Sequence, residues 1–343
     1  MTITITDLGV LSGGMNSFAN AINVQGVIVG QSEGSSKAKK AVYWVPNTNT
    51  PIALQSFGAN LNSFANDLTN ASLNQVKIVG SAEDSSGATV AVLWNNISSA
   101  PITLGTLGGF NSYAYGINNA PTPLIVGASE IDGSPGLRAF VYNGTMTQLP
   151  SLNAGLLGEK EAIAISVNLS GEIVGYAENG NTGDTHAVLW TPTGLLGAYV
   201  IHDLGTLGTG FNSLANDIND SRTIVGASET GNGNIEAFVR QTNTNSSLAS
   251  LVGGSNSTAE AITISGTTTY VVGQSETATG SAHAVVWKAP SGTTFGLPTD
   301  LGALSGGLKS TAIDVASVGG TATAVGGSQI STGAVHAVKF TGF

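Results

Sequence analysis

Short apolar runs alternate with glycine-, serine- and asparagine-rich turns along the whole chain. Between residues 102 and 142, four such runs follow one another, at 102–107, 112–117, 124–129 and 138–142. Each run is about as long as a β-strand and is bounded by turn residues, which is typical of strands in an antiparallel sheet. The pattern predicts a unit of four short strands.

One phrase, apolar-Val-Gly-x-Ser/Ala-Glu, first occurs at Ile28–Glu33 and returns in six variants. Its glycines are spaced by 47 to 53 residues, at Gly30, Gly80, Gly127, Gly175, Gly226, Gly273 and Gly326. A period of this length, with four strands in each unit, predicts a β-propeller.

The two ends of the chain differ in a way that a ring explains. The first strand-like segment, residues 7–11, has no partner strands before it, and the last, residues 336–340, has no fourth strand after it. We therefore predict an all-β fold, a single seven-bladed β-propeller over residues 1–343 in which the N-terminal strand completes the last blade. A β-solenoid, the alternative, would not need this offset. The four-stranded repeats average about 49 residues and are expected at 1–50, 51–100, 101–144, 145–198, 199–244, 245–294 and 295–343.

The repeat resembles a known family. The matching segments are Asp203–Leu207, Asn212–Ala215, Ile224–Ser228 and His186–Trp190. In these segments the chain resembles the HAF-repeat extracellular proteins of bacteria, over essentially its whole length, although only three units keep the histidine of the motif. The resemblance implies a location outside the cell or on its surface and no catalytic residue.

Composition narrows the classes of partner. Only 9% of the residues are charged and the formal net charge is −10, which argues against nucleic-acid or anionic-membrane partners because both are bound through basic patches. The chain has no cysteine, which excludes disulfides and thiolate metal sites. No apolar run approaches the roughly 18 residues of a membrane span, so no membrane insertion is expected. The first residues carry no basic segment, so no signal peptide is predicted.

Several repeated positions are interpreted as structural. The glycine inside each third strand suggests that another backbone comes too close for a Cβ atom. All four tryptophans end the same strand and are expected to pack between blades. The histidines at 186, 283 and 336 occupy one repeat position on different blades, too far apart to share a zinc ion.

The glutamate at the end of the repeated phrase is expected to face a residue seven or eight positions further on, across a hairpin. Where that residue is basic, as at Lys40, Arg138 and His186, we predict a cross-strand ion pair. In one unit Glu229 would instead face Glu236. Two adjacent carboxylates would raise the pKa of one of them or recruit a cation such as Ca²⁺, so this pair is the candidate metal site, and no other cofactor is predicted.

The turn before each Ser-x-Ala strand is the candidate ligand site. It places large apolar residues beside amide and hydroxyl groups, a combination that could stack on a sugar ring or pack on a protein surface, although turns favour Asn and Ser for their own hydrogen bonds. The fourth copy drifts to Leu157-Gly158-Glu159. The predicted ligand-binding residues are Met15, Asn16, Phe110, Asn111, Phe211 and Asn212.

These observations predict a non-catalytic secreted or surface binding module that presents one propeller face to a partner, with carbohydrate as the leading ligand class. One alternative is a structural component that self-assembles as a homo-oligomer or polymer, in a sheath, filament, surface layer or virus particle. Another is a hydrolase or lyase with its site at the mouth of the channel. No Ser-His-Asp spacing or phosphate-binding loop occurs, and no catalytic residue is predicted.

Overall fold

The structure is a computed structural model that describes residues 2–152, 160–194, 197–290 and 294–343. It is all-β in this part of the chain, with seven antiparallel sheets of four strands. Neighbouring sheets pack in a closed cycle, in which the last sheet contacts the first. The predicted seven-bladed β-propeller is thereby confirmed.

The strands are numbered in chain order, and within each blade we call them A, B, C and D from the propeller axis outward. β1 is Thr4–Asp7. Blade 1 contains β2 (Ser17–Ile22), β3 (Ile28–Glu33), β4 (Lys39–Trp44) and β5 (Ile52–Ala53). Blade 2 contains β6 (Ser63–Leu68), β7 (Ile78–Glu83), β8 (Thr89–Trp94) and β9 (Ile102–Gly105). Blade 3 contains β10 (Gly108–Ile117), β11 (Ile125–Ile131), β12 (Ser134–Tyr142) and β13 (Met146–Gln148). Blade 4 contains β14 (Ala162–Val167), β15 (Ile173–Glu178), β16 (Thr185–Pro192) and β17 (Tyr199–Gly205).

The remaining blades follow the same plan. Blade 5 contains β18 (Ser213–Ile218), β19 (Ile224–Glu229), β20 (Ile235–Gln241) and β21 (Thr244–Ser247). Blade 6 contains β22 (Ser257–Ser265), β23 (Thr268–Glu276), β24 (Ala282–Pro290) and β25 (Thr299–Gly302). Blade 7 contains β26 (Ser310–Val318), β27 (Thr321–Gln329) and β28 (Val335–Thr341), with β1 as its fourth strand.

The N-terminal strand closes the ring as predicted. β1 pairs antiparallel with β28, with Thr4 opposite Thr341 and Asp7 opposite Val338. A sheet edge left open would expose unpaired backbone groups, and this pairing covers the C strand of blade 7. The four-strand unit read from residues 102–142 is offset from a blade by one strand, because its first run, Ile102–Gly105, is the D strand of the preceding blade.

The repeated glycine has the predicted structural role. In each blade the A strand contains a β-bulge, and the residue just before it lies opposite the glycine of the B strand, as Ala19 lies opposite Gly30. A Cβ atom on Gly30 would overlap the carbonyl oxygen of Phe18. The same overlap, with the equivalent A-strand carbonyl, occurs at Gly80, Gly127, Gly175, Gly226, Gly273 and Gly326.

The hydrophobic core lies between the blades, and the tryptophans are at its centre. Trp44, Trp94, Trp190 and Trp287 have no exposed surface. Each indole N–H also donates a hydrogen bond to a backbone carbonyl, as Trp44 Nε1 does to Leu8 at 2.7 Å. The interpretation of these residues as inter-blade packing is confirmed. Within the described ranges the chain forms no helix with the length and apolar character needed to cross a bilayer.

We predict that Gly30→Ala will destabilise the protein by about 1–3 kcal/mol, because the new methyl group must displace the backbone of the A strand. Gly34→Ala, a few residues away, is the matched control: its Cβ atom would meet nothing within 4 Å, and we expect a change below about 0.5 kcal/mol. Urea unfolding followed by circular dichroism measures both. Equal stabilities of the two variants would contradict this account of the glycine.

Candidate functional site

The propeller has two faces joined by an axial channel. We call the face formed by the D–A loops and the B–C turns the tip face, because the A strands begin there. The opposite face, formed by the A–B and C–D turns, is the mouth face. The predicted ligand residues all belong to the tip face.

The apolar members of the predicted site are displayed to solvent. Met15 is 57% exposed, Phe110 is 55% exposed and Phe211 is 66% exposed. The loop below Phe110 is held in place because its backbone N–H donates to the Glu130 carboxylate at 3.2 Å. The fourth copy of this turn, Leu157-Gly158-Glu159, lies outside the described residues.

The asparagines beside these tips are part of the scaffold. Asn111 donates from Nδ2 to Glu130 at 2.9 Å, and its Oδ1 accepts the backbone N–H of Thr89 in blade 2 at 3.0 Å. Both ends of the amide therefore join one blade to its neighbour. The hydrogen bonds from Asn111, opposed by a smaller effect of burial, hold the pKa of Glu130 below its usual value. The same two contacts are made by Asn16, Asn62, Asn212 and Asn256.

The predicted pairing of the repeated glutamate was wrong by one residue. Glu229 lies opposite Ile235, whereas Glu236 lies opposite Ser228. Because successive residues of a strand point to opposite faces of the sheet, the two carboxylates do not face one another. Glu229 accepts from Asn212, and Glu236 accepts from the Ser247 hydroxyl. The candidate Ca²⁺ pair thus loses its geometric basis, and the described residues contain no group of three or more His, Cys, Asp or Glu that could hold a metal ion.

The histidines also have a different partner from the one predicted. His186 Nδ1 lies 2.8 Å from Asp203 Oδ2, on the neighbouring D strand of the same blade. Equivalent pairs join His283 to Asp300 and His336 to Asp7. Each of these three aspartates begins an Asp-Leu-Gly sequence, and each anchors the C strand of its blade to the D strand. Lys40, which also occupies this position, donates instead to the carbonyls of Gly58 and Leu61 in the next D–A loop.

The channel contains a site that sequence reasoning missed. A cavity of about 360 Å³ occupies the channel and opens at the mouth face, and a second of about 190 Å³ lies against it. Asp67, Asp217 and Asp314 line both cavities and so mark the point where they meet. No Lys, Arg or His is among the described residues that line them.

Each of the three aspartates serves two blades. Asp67 Oδ1 accepts the N–H of Leu68 in its own blade at 2.7 Å, and Oδ2 accepts that of Ile117 in the next blade at 2.8 Å. Both N–H groups lie beside an A-strand bulge, where the sheet pairing is interrupted. Asp217 bridges Ile218 and Ile262 in this way, and Asp314 bridges Val315 and Ile22. Three carboxylates therefore complete the inner edges of six blades.

In blade 4, Ser166 takes the place of the aspartate. Its hydroxyl donates to Asp217 Oδ1 at 2.7 Å and so connects this blade to blade 5. These side chains therefore link blade 2 to blade 3, blades 4, 5 and 6 to one another, and blade 7 to blade 1.

The channel environment disfavours the charged form of these acids. Burial raises the pKa of Asp67 and Asp217, and it raises the pKa of Asp314 to about 7. The hydrogen bonds from the backbone act in the opposite direction, and the negative charge of Asp217 adds to the increase for Asp314. Burial also raises the pKa of Glu260, which lines the smaller cavity.

One buried amide group beside the cavity lacks a protein partner. Asn219 Oδ1 accepts the backbone N–H groups of Ser221 and Thr223, which fixes the side chain in the A–B turn of blade 5. Its Nδ2 is buried and hydrogen-bonds to none of the described residues. The equivalent amide in blade 4, Asn168, donates to the carbonyl of Asn219. An unpaired buried donor beside a cavity is a place where a ligand oxygen or a water molecule binds favourably.

We predict that Asn111→Ala will destabilise the protein by about 1–3 kcal/mol, since Glu130 loses its side-chain amide donor and the N–H of Thr89 loses its acceptor. Phe110→Ala, at the adjacent residue, should change stability by less than about 0.5 kcal/mol because the ring is largely in solvent. Thermal and urea unfolding compare the two. The distinction between scaffold and tip would be wrong if Phe110→Ala were the more destabilising change.

The channel acids also predict a pH dependence of stability. The folded pKa of Asp314 lies above its ordinary value of 3.8, so the folded state binds this proton more tightly than the unfolded chain does. The resulting stabilisation is fully present below about pH 4 and is lost as the pH rises through about 7. Asp314→Asn should therefore show a smaller fall in unfolding free energy between pH 5 and 8 than the wild type, measured by urea titration.

Asp132→Asn, in an exposed turn, is the control and should keep the wild-type slope. An Asp314→Asn protein with an unchanged slope would show that this carboxyl does not titrate differently on folding.

Comparisons with known proteins do not place the chain in a family. No protein-family model and no curated protein matches the chain. Among solved structures, it is similar to a putative TolB from Agrobacterium tumefaciens, with 11% identity, a TM-score of 0.46, and coverage of 67% of this chain and 79% of the other. For Trypanosoma rangeli sialidase in complex with the inhibitor DANA, the identity is 13% and the TM-score is 0.43, with coverage of 95% of this chain and 55% of the other. For a mutant of the Aleuria aurantia lectin in complex with alpha-methyl-L-fucoside, the identity is 11% and the TM-score is 0.42, with coverage of 84% of this chain and 96% of the other.

Proposed function

We propose that the protein is a non-catalytic binding module and that it binds carbohydrate at the mouth-face end of the axial channel. The observation that carries this proposal is the chemistry of the cavity wall: carboxylates, amides and hydroxyls surround a space of about 360 Å³, with no basic side chain among the described residues of that wall. That volume lies in the range of small-ligand pockets. Such a wall suits a neutral ligand with many hydroxyl groups and disfavours phosphate or sulfate groups.

The wall offers both kinds of hydrogen-bonding partner that a sugar requires. Asp67 and Asp314 each use two of their roughly four lone-pair sites on backbone N–H groups, so sugar hydroxyls can donate to the other two; Asp217 also accepts the Ser166 hydroxyl and has about one site left. Asn219 lies in this wall, and its unpartnered Nδ2, which is covered in the free protein, can donate to a sugar oxygen that displaces the groups over it. Leu169 and Ile264, both about half exposed at the rim, provide apolar contacts for the C–H faces of a pyranose ring.

The predicted tip residues remain a second location for the same ligand class. Phe110 and Phe211 are exposed enough to stack on a sugar. The amides of Asn111 and Asn212, which would have to bind its hydroxyls, are engaged within the scaffold. This difference favours the channel over the tips.

A glycosidase is the alternative that one observation favours. The raised pKa values of neighbouring channel carboxyls are a property that glycosidases use in a general acid. Against a catalytic role, each of these carboxyls binds the backbone of two blades. We therefore retain the binding module, and we propose a location outside the cell, as the HAF-repeat resemblance implies.

The proposal is tested by glycan-array binding, followed by calorimetry with the selected glycan and Asn219→Asp. This variant keeps Oδ1, which caps the turn, and replaces the free donor with an acceptor that carries a negative charge. We expect at least about tenfold weaker binding, the effect of losing one hydrogen bond to a buried group. Recovery of the glycan at its original length would support binding without cleavage.

A Phe110→Ala/Phe211→Ala double variant, which leaves the channel intact, is the matched control. In calorimetry with a short soluble glycan that occupies one channel at a time, it should bind with the wild-type affinity. Loss of binding in the double variant, with full binding by Asn219→Asp, would move the site to the tips. Cleavage products would support the glycosidase, and an array without any binding would overturn the proposed ligand class.

A further inference from the structure

The tip face carries a ring of exposed apolar side chains. In every D–A loop that the structure describes, or in blade 3 at the start of the A strand that follows the loop, one large apolar residue is at least 41% exposed. The loop of blade 4, at 153–159, lies outside the described residues. The six residues, which we call the apolar ring, are Met15, Phe57, Phe110, Phe211, Val252 and Leu308. Exposed apolar groups gathered on one surface mark an interaction site.

The ring is rigid and chemically uniform. In several loops the backbone N–H of the tip residue donates to the glutamate or glutamine that ends the B strand, as in Met15, Phe110 and Leu308. The conformational entropy lost on binding is therefore small. The asparagines beside the tips use both ends of their amides inside the propeller, so these loops offer mainly apolar contact. A partner that covers the ring should present apolar side chains at the same distance from the propeller axis.

The charges around the ring are divided between two sides. Lys37 and Lys39 in blade 1 and Lys309 in blade 7 are exposed on the tip face. Asp132 in blade 3 and Glu161 at the start of blade 4 are exposed on the same face, and Asp184 in blade 4 is partly exposed. In a cyclic order of seven blades, blades 7 and 1 lie across the axis from blades 3 and 4. Lys160 in blade 4 pairs with Glu178 at 3.3 Å, so blades 3 and 4 keep an excess of acidic groups and the tip face has a basic side and an acidic side.

A second copy of this chain complements such a surface. A twofold axis in the plane of the face, perpendicular to the line from the basic to the acidic side, brings blades 7 and 1 of one copy over blades 3 and 4 of the other. The lysines then meet the acids twice, and the apolar rings face one another. Contacts of this kind are isologous and close at two subunits.

We infer that two copies associate face to face through their tip faces and form a homodimer. The dimer leaves both mouth faces outward, so two channel sites point in opposite directions. Binding to a repeating polymer would then gain from two linked sites, which raises apparent affinity without any new contact. This pairing gives the predicted ligand residues Met15, Phe110 and Phe211 a role in assembly instead.

The test is a charge exchange. One variant carries Lys37→Glu, Lys39→Glu and Lys309→Glu, and the other carries Asp132→Lys, Glu161→Lys and Asp184→Lys. Sedimentation equilibrium at about 0.15 M salt, where the Debye length is about 8 Å, limits the long-range repulsion between copies with a formal net charge of −10. We expect the wild type to be dimeric and each variant to associate at least about tenfold more weakly, because like charges then face each other.

Mixing the two variants should restore a dimer that contains one copy of each, identified by native mass spectrometry. That rescue cannot come from misfolded chains. Ile102→Ser, on the outer strand of blade 2, is the control and should leave the wild-type dimer unchanged.

A wild type that stays monomeric at about 100 µM would overturn the inference, as would a dimer that neither charge variant weakens. Weakened dimers that fail to form the mixed pair would also overturn the proposed orientation. Glycan binding by the channel is measured separately and does not depend on any of these outcomes.

Discussion

The propeller depends on side chains that hydrogen-bond the backbone across blade boundaries. Blades pack face to face and do not pair their backbones with one another, so groups at the bulges and strand ends need other partners. Ser112 is one example: its hydroxyl accepts the N–H of Ala91 in blade 2 and donates to the carbonyl of Gly105. The asparagines at five of the blade tips and the three channel aspartates play the same part at other distances from the propeller axis. A chain with only 9% charged residues holds its ring together largely through these polar contacts and the packing of tryptophan.

Much of the fold could be predicted from the sequence because each copy of a repeat reports the same local geometry. Seven glycines at one strand position indicated that a neighbouring backbone comes close to that position. The unmatched strands at the two ends of the chain indicated that the N-terminal strand closes the ring. The pairing of Glu229 with Glu236 could not be obtained in this way. Residues seven positions apart can lie opposite one another or be shifted by one position, depending on the turn that joins the two strands. Here the pairing is shifted by one, which places the side chain of Glu236 on the other face of the sheet from that of Glu229.

The channel site was missed for a related reason. Asp67, Asp217 and Asp314 occur in only three of the seven copies and lie far apart in sequence, so no local pattern groups them. A signal was nevertheless present, since an aspartate follows Ala-x in an otherwise apolar strand in blades 2, 5 and 7. The predicted tip residues, in contrast, were located correctly on one face, but the role of their asparagines in joining blades depends on contacts between neighbouring units. The two faces thus differ in chemistry: the tip face displays apolar side chains between a basic side and an acidic side, and the mouth face opens into a polar channel.

The central claim is that the polar channel is the ligand site, and a crystal structure of the protein with the glycan selected on the array tests it most directly. The account predicts a sugar in the mouth-face cavity, with an oxygen atom within hydrogen-bonding distance of Asn219 Nδ2 and hydroxyls on the channel carboxylates. A sugar stacked on Phe110 or Phe211 with an empty channel would contradict it.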